Sequence, residues 1–279
     1  EVDVDPRVPQ TGSLYLIATG WIHPTDSSIN VAISQGKHDA PKGLSLEVPD
    51  GKGGWVVAKP GLGFPEGKIK TVVLNLTGIF RPNTPRKVRL RTNLEIYWDF
   101  IGTAEGAEKS PLQKQMTSLS GAELRELGFS ATVTKNISSP EIGLYKVVGV
   151  KPNWLDLEGY YTRYGDVREL LQKTDDRYVI MNAGDEMRLR FSEIAPPKPG
   201  WERDYVMIGD GWVKDGNFNT TYSKTVLPLP AHDIKDYNVP PKELQDDPVY
   251  KRHAQDWITY HTRYVSPREF YEGMKPRIR

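Results

Sequence analysis

The sequence predicts a mostly β protein: β-sandwich modules of jelly-roll type, a few short helices, and an extended or helical C-terminal arm. Three observations predict it. Short apolar runs, several with period-two alternation, follow one another along the first hundred residues. Turn signals separate them, at Gln35-Gly36-Lys37, Pro49-Asp50-Gly51, Pro65-Glu66-Gly67 and Arg81-Pro82-Asn83. The 25 Gly and 22 Pro of the 279 residues suit many strands joined by turns better than they suit a helical protein.

Residues 1–10 read as an extended lead-in. Leu14, Leu16 and Ala18 then alternate with Tyr15, Ile17 and Thr19. Both sets are largely apolar, which predicts a strand covered on both faces. Further strands are predicted at Ile29–Ile33, Leu44–Val48, Trp55–Ala58, Ile69–Leu76, Lys87–Thr92 and Leu94–Trp98. In the last of these Leu94, Ile96 and Trp98 share one face, while Glu95, Tyr97 and Asp99 share a wet one. Residues 102–119 are small and polar and read as a linker. It divides an N-terminal β-sandwich module, 1–104, from a second β-rich module, 105–230.

Ser120 and Glu123 form a capping box, and Gly128 supplies a stop, so a short helix is predicted between them. Strands follow at Phe129–Thr134 and Leu144–Val150. Asp166 and Glu169 make a second capping box, with Val167, Leu170 and Leu171 on one helical face. Tyr178–Met181 and Glu186–Phe191 read as a hairpin turning at Asn182-Ala183-Gly184-Asp185. Arg203–Gly209 is the next predicted strand, and Val226–Pro230 is proline-broken and reads as an edge or an exit. Residues 231–279 form the arm. In it Asp247 caps a helix whose first position is Pro248, and Tyr250, His253, Trp257 and Tyr260 fall on one stripe. A last helix is predicted from Ser266 and Pro267 to Gly273.

Bulk numbers exclude several functions. Lys and Arg total 37 against 36 Asp and Glu, so no basic excess points to nucleic acid. With no Cys, disulfides, thiolate metal sites and thiol catalysis are absent. No run of eighteen apolar residues encodes a membrane span. The chain begins at Glu1 and reads as a processed protein or a piece of a larger one.

The most site-like stretch is Asp210 to Thr221. Asp215, Asn217 and Asn219 stand at i, i+2 and i+4, a spacing that lets oxygens converge on a hard cation such as Ca2+. Thr220 and Val226 occupy the places where a full calcium loop has Gly and Glu, and the same segment suits a turn that satisfies its own backbone. No other cofactor is indicated. The chain holds seven Trp, fourteen Tyr and seven Phe. Trp55, Tyr97, Tyr160, Tyr161 and Tyr164 are candidates to stack on sugar rings, and equally to anchor a core or an interface. Tyr250, His253, Trp257 and Tyr260 are candidates to meet a partner. The five His are dispersed, at 23, 38, 232, 253 and 261, and none pairs at zinc spacing. No nucleophile elbow, phosphate loop or dinucleotide fingerprint occurs. The carboxylates Asp175, Asp176, Asp185, Glu186, Asp204 and Asp210 lie in turns, where capping is the common use. Sequons stand at Asn75, Asn136 and Asn219.

Several blocks carry a resemblance: Leu16–Ile33, Leu46–Gly54, Gly63–Leu76, Arg89–Asp99 and above all Gly159–Phe191 with Gly200–Pro230. Through them the chain resembles the C-terminal region of large bacterial extracytoplasmic proteins of the FG-GAP / ASPIC–UnbV type, in which a propeller or a tetratricopeptide array lies upstream. This sequence has neither the propeller's calcium loops nor a helical array, and the resemblance brings no catalytic residue with it. It implies a non-enzymatic structural or interaction module outside the cytoplasm, working with other subunits or with copies of itself. A carbohydrate-binding module is the alternative, and a hydrolase using turn carboxylates is the third reading.

Overall fold

The computed structural model describes residues 1–5, 7–8, 12–23, 29, 32–33, 35–66, 69–106, 111–136, 142–150, 157–214, 224–234 and 241–266. The chain is mostly β, in several antiparallel sheets, and it divides into two units. The first takes residues 1–113 and 132–142, the second 114–131 and 143–279.

In the first unit, β1 (Val2–Asp3), β6 (Lys87–Arg91), β3 (Leu44–Pro49) and β4 (Trp55–Leu62) form one sheet in that order. A second sheet has the order β5 (Lys70–Asn75), β2 (Leu14–Ile22), β7 (Ile96–Glu105). Leu14, Leu16 and Leu74 from one sheet meet Leu46, Val48 and Val88 from the other in a single buried cluster. Along β2, Leu14, Leu16 and Ala18 are buried, whereas Tyr15, Ile17 and Thr19 are half-buried, so only one face is fully covered. The register against β7 slips between Thr19 and Gly20. A Cβ at Gly20 would lie 2.4 Å from the Tyr97 carbonyl oxygen, so this bulge admits only glycine without a backbone shift. The β3–β4 turn closes on Asp50, whose Oδ1 accepts from Lys52 N and Gly54 N at 2.7 and 2.8 Å.

Two expectations fail in this unit. Ile29, Ala32 and Ile33 are helical rather than a strand. They stand at i, i+3 and i+4, so the same apolar run also serves one face of a helix. β7 continues through Gly102, Thr103, Ala104 and Glu105, which composition marks as linker, because residues Leu14–Ile17 of β2 pair with them.

In the second unit, β8 (Leu119–Glu126) lies between β12 (Gly165–Asp166) and β13 (Asp185–Phe191). The predicted helix after Ser120 is therefore a strand. Ala122 and Leu124 are buried and Glu123 between them is exposed, which is strand periodicity. Pairing along seven residues of β13 outweighs the local cap signal. The predicted hairpin fails for the same reason: β13 pairs with β8, and Tyr178–Met181 is not a strand. The second capping box yields a 3-10 turn, Arg168–Leu171. Asp166 Oδ1 accepts from Arg168 N at 2.9 Å, while Glu169 turns instead toward Tyr260 and Arg177.

β9 (Phe129–Val133) and β10 (Ile142–Gly149) make a two-stranded ribbon. After a 3-10 turn, α1 (Pro248–Arg252) and α2 (Ala254–Thr259) follow. Asp247 caps α1 as the sequence predicts, with Oδ1 accepting from Val249 N and Tyr250 N, and its Oδ2 accepts from Leu229 N. The one predicted helical stripe is broken at His253 into two short helices. β14 (Arg263–Val265) then pairs antiparallel with β11 (Gly159–Tyr161), setting Tyr264 opposite Tyr160. Residues 241–266 thus pack within their own unit. The helix predicted after Ser266 lies outside the described residues.

Candidate functional site

The charged side chains of the second unit form a network around its C-terminal segment. Thr162 and His261 are buried at its centre. Ile180 N donates to Thr162 Oγ1 at 2.8 Å, and that hydroxyl shares a hydrogen bond of 2.9 Å with His261 Nδ1. Burial pushes the His261 imidazole down to about 4. Arg177 grips Asp256 through two hydrogen bonds of 2.9 and 2.7 Å and reaches Glu169 at 3.2 Å. Tyr260 donates to the other oxygen of Glu169 at 2.5 Å, and together these bonds hold that carboxylate below its ordinary range. Arg263 pairs with Asp185, and its guanidinium lies 4.4 Å from the Tyr164 ring centre. Tyr164 donates to Asp185 at 2.9 Å, and burial with this bond pushes its hydroxyl up to about 12. Every member of the network already has a partner. It fastens the C-terminal segment to residues 162–185.

The predicted aromatic candidates are divided between the two units. Trp55 and Tyr97 lie in the first unit, and Tyr160, Tyr161 and Tyr164 in the second. Arg89 sits over the Trp55 ring at 4.5 Å, and Trp21 stacks on Tyr97 at 5.5 Å. Tyr161 is buried, with its hydroxyl donating to Leu157 O. Tyr160 is exposed and meets Tyr264 edge-on at 5.1 Å. The two tyrosines border a cavity of about 210 Å3, whose lining includes Glu158, Lys242, Glu243 and Trp257. Glu158 Oε1 accepts from the Tyr264 hydroxyl at 2.6 Å. Of the candidate partner contacts, Trp257 is buried and Tyr250 packs edge-on against it at 5.3 Å. Tyr260 is held by Glu169, and His253 serves the junction of α1 and α2. Asp215, Asn217 and Asn219 lie outside the described residues. Among the described residues no group of three His, Asp or Glu is placed to hold a metal.

Two surfaces stand out for the opposite reason. The first is Tyr205–Val213, predicted in part as a strand. Val206 and Ile208 are 86% and 87% exposed, and Tyr205, Met207, Trp212 and Val213 are exposed as well. The backbone groups of Tyr205–Ile208 make no hydrogen bond to other backbone among the described residues. The segment is nonetheless fastened. Asp210 Oδ2 meets His232 Nε2 at 2.9 Å, and His232 Nδ1 meets Asp176 Oδ1 at 2.5 Å. Two carboxylates raise the His232 imidazole above its ordinary value. Lys214 Nζ donates to the carbonyls of Thr225 and Leu227, and burial draws its ammonium down to about 8. The second surface is β10. Ile142, Leu144, Tyr145, Val147, Val148 and Val150 are all exposed, and β9 is the strand's one neighbour among the described residues. Strand period alone does not find these surfaces. The signal is that both β10 and Tyr205–Val213 are apolar at odd and even positions, which a half-wet strand does not need.

Comparison with protein-family models, with curated proteins and with solved structures finds no match.

Proposed function

We propose that the chain is a structural and interaction module that works inside a larger protein assembly and offers Tyr205–Val213 as a strand to a partner. One observation carries this reading: an apolar segment lies exposed, with no backbone hydrogen bond from Tyr205 to Ile208 to other backbone among the described residues, while its end is fastened to the unit through Asp210 and Lys214. Exposed apolar area on this scale marks contact surfaces, and an extended segment with open N–H and C=O groups is suited to strand addition. The placement outside the cytoplasm rests on the resemblance of the blocks from Leu16 to Pro230. A photocrosslinking residue at Met207, introduced in the protein's own host, is expected to yield one discrete adduct. The same residue at the exposed control Lys52 is expected to yield none. Absence of an adduct at Met207 would overturn the reading.

A second reading, carbohydrate binding, is favoured by the cavity beneath Tyr160 and Tyr264. It ranks second because the two rings are inclined at 70° and offer no flat platform. Calorimetric titration with a panel of oligosaccharides tests it, with Tyr160→Ala expected to abolish any heat.

A further inference from the structure

We propose that the cavity bordered by Tyr160, Tyr264 and Trp257 is a binding site for a small methylated ammonium, the group that choline carries. The inference goes beyond the interaction-module reading and does not depend on it.

Strand pairing builds the cavity. Tyr160 of β11 stands opposite Tyr264 of β14. Glu158 N donates to Lys224 O at 2.8 Å, and Glu158 O accepts from Val226 N at 2.9 Å. Gly159, with φ +149°, lets the Val226 side chain close in, since a Cβ there would lie 2.8 Å from Val226 Cγ2. At about 210 Å3 the space is smaller than the roughly 300–1,000 Å3 of a drug-sized site, so its ligand is small.

The walls select the charge. Two carboxylates, Glu158 and Glu243, border the space against one ammonium, Lys242, and the rest of the lining is uncharged, which leaves one negative charge. Elsewhere in the second unit Asp185, Asp233 and Asp256 each have an arginine. Among the described residues no cation pairs with Glu158 or Glu243. Glu158 is half-buried, and its Oε1 accepts from the Tyr264 hydroxyl at 2.6 Å. Its Oε2 has no partner among the described residues. A half-buried carboxylate held in place without a counter-charge favours a cationic guest.

The rings select the shape. Tyr160 and Tyr264 are inclined at 70° with centres 5.1 Å apart, and Trp257, 9% exposed, is the third ring. Rings so inclined suit a rounded charge, as a coplanar row suits a flat sugar ring. A metal ion needs several oxygens or nitrogens converging on one point. Among the described residues no group of three His, Asp or Glu is so placed. A quaternary ammonium needs only aromatic rings and a negative charge nearby.

Calorimetric titration of the purified full chain with choline chloride, at ionic strength held constant with sodium chloride, tests the proposal. Saturable heat is expected. Neohexyl alcohol, the uncharged analogue with carbon in place of nitrogen, is expected to bind about tenfold more weakly, because it fills the same space without the charge. Glu158→Gln keeps an acceptor for Tyr264, and Tyr160→Leu keeps apolar bulk. Each is expected to weaken choline binding roughly fivefold. Lys242→Gln is expected to tighten it roughly threefold, a gain that loss of structure cannot produce. The proposal is overturned if choline gives no heat, if neohexyl alcohol binds as tightly, or if Lys242→Gln weakens binding. An oligosaccharide whose heat is lost in Tyr160→Ala and which choline cannot displace gives the cavity to sugar and overturns it too. The same group heads phosphatidylcholine, and co-sedimentation with vesicles of that lipid separates the two sources. Protein that stays in the supernatant assigns the cavity to the free solute, and protein that pellets in wild type but not in Glu158→Gln assigns it to the lipid. The Met207 adduct reports separately, so failure here leaves the interaction-module reading standing, and loss of the adduct leaves the cavity standing.

Discussion

The buried polar side chains set the strongest conditions at the scale of single residues. His261 is buried beside Thr162, and burial favours its neutral imidazole. Its folded value of about 4 is below the ordinary value near 6.5 that it regains on unfolding. Its contribution is therefore complete above pH about 6.5 and is lost as pH falls toward 4, a total of about 3 kcal/mol. Urea unfolding of the intact chain followed between pH 7 and 4 is expected to show this slope, and His261→Asn to flatten it. Glu47 is a second buried group. Its carboxylate, almost fully covered, pairs with Arg89 and lies 3.5 Å from Arg91. Glu47→Ala leaves Arg89 without its counter-charge against Trp55, and about 3 kcal/mol of stability is expected to disappear in denaturant titration. Neither environment was legible in the sequence. Glu47 stands in a run that reads simply as a strand, and His261 follows a helix whose last carbonyls accept from Arg163, distant in the sequence.

For elements, legibility followed the range of the interactions that decide them. Asp247 with Pro248 was readable because its bonds to Val249 and Tyr250 are two and three residues away. The turn at Pro49-Asp50-Gly51 was readable for the same reason. Ser120 with Glu123 carries an equally good local signal and was misread, since β13, sixty residues on, supplies the ladder that makes Leu119–Glu126 a strand. The exposure of the apolar residues Tyr205–Ile208 was not legible at all, because a strand-like sequence does not state whether a neighbour exists. Asp247→Ala tests the readable kind. It removes the cap of α1 and also the acceptor of Leu229 N, so about 2 kcal/mol is expected to be lost, twice the effect of an ordinary exposed cap. Thermal unfolding of the second unit, monitored through the near-ultraviolet signal of Trp257, is the measurement.

Across the whole molecule, the mostly β class was legible from turns and alternation, while the allocation of chain to units was not. Residues 132–142 belong with 1–113, although eighteen residues of the second unit, 114–131, intervene. The polar stretch 102–120 has the composition of a boundary, which marks exposed chain. Composition cannot show that a later segment returns. A fragment ending at residue 113 is accordingly expected to give a broad, poorly dispersed amide spectrum, and the full chain a sharp one. The interleaving also bears on heredity. A stretch of coding sequence cut at a single point cannot separate the units cleanly, because a piece that holds all of one also takes a segment of the other and leaves that other broken. Only the undivided stretch passes on both units intact.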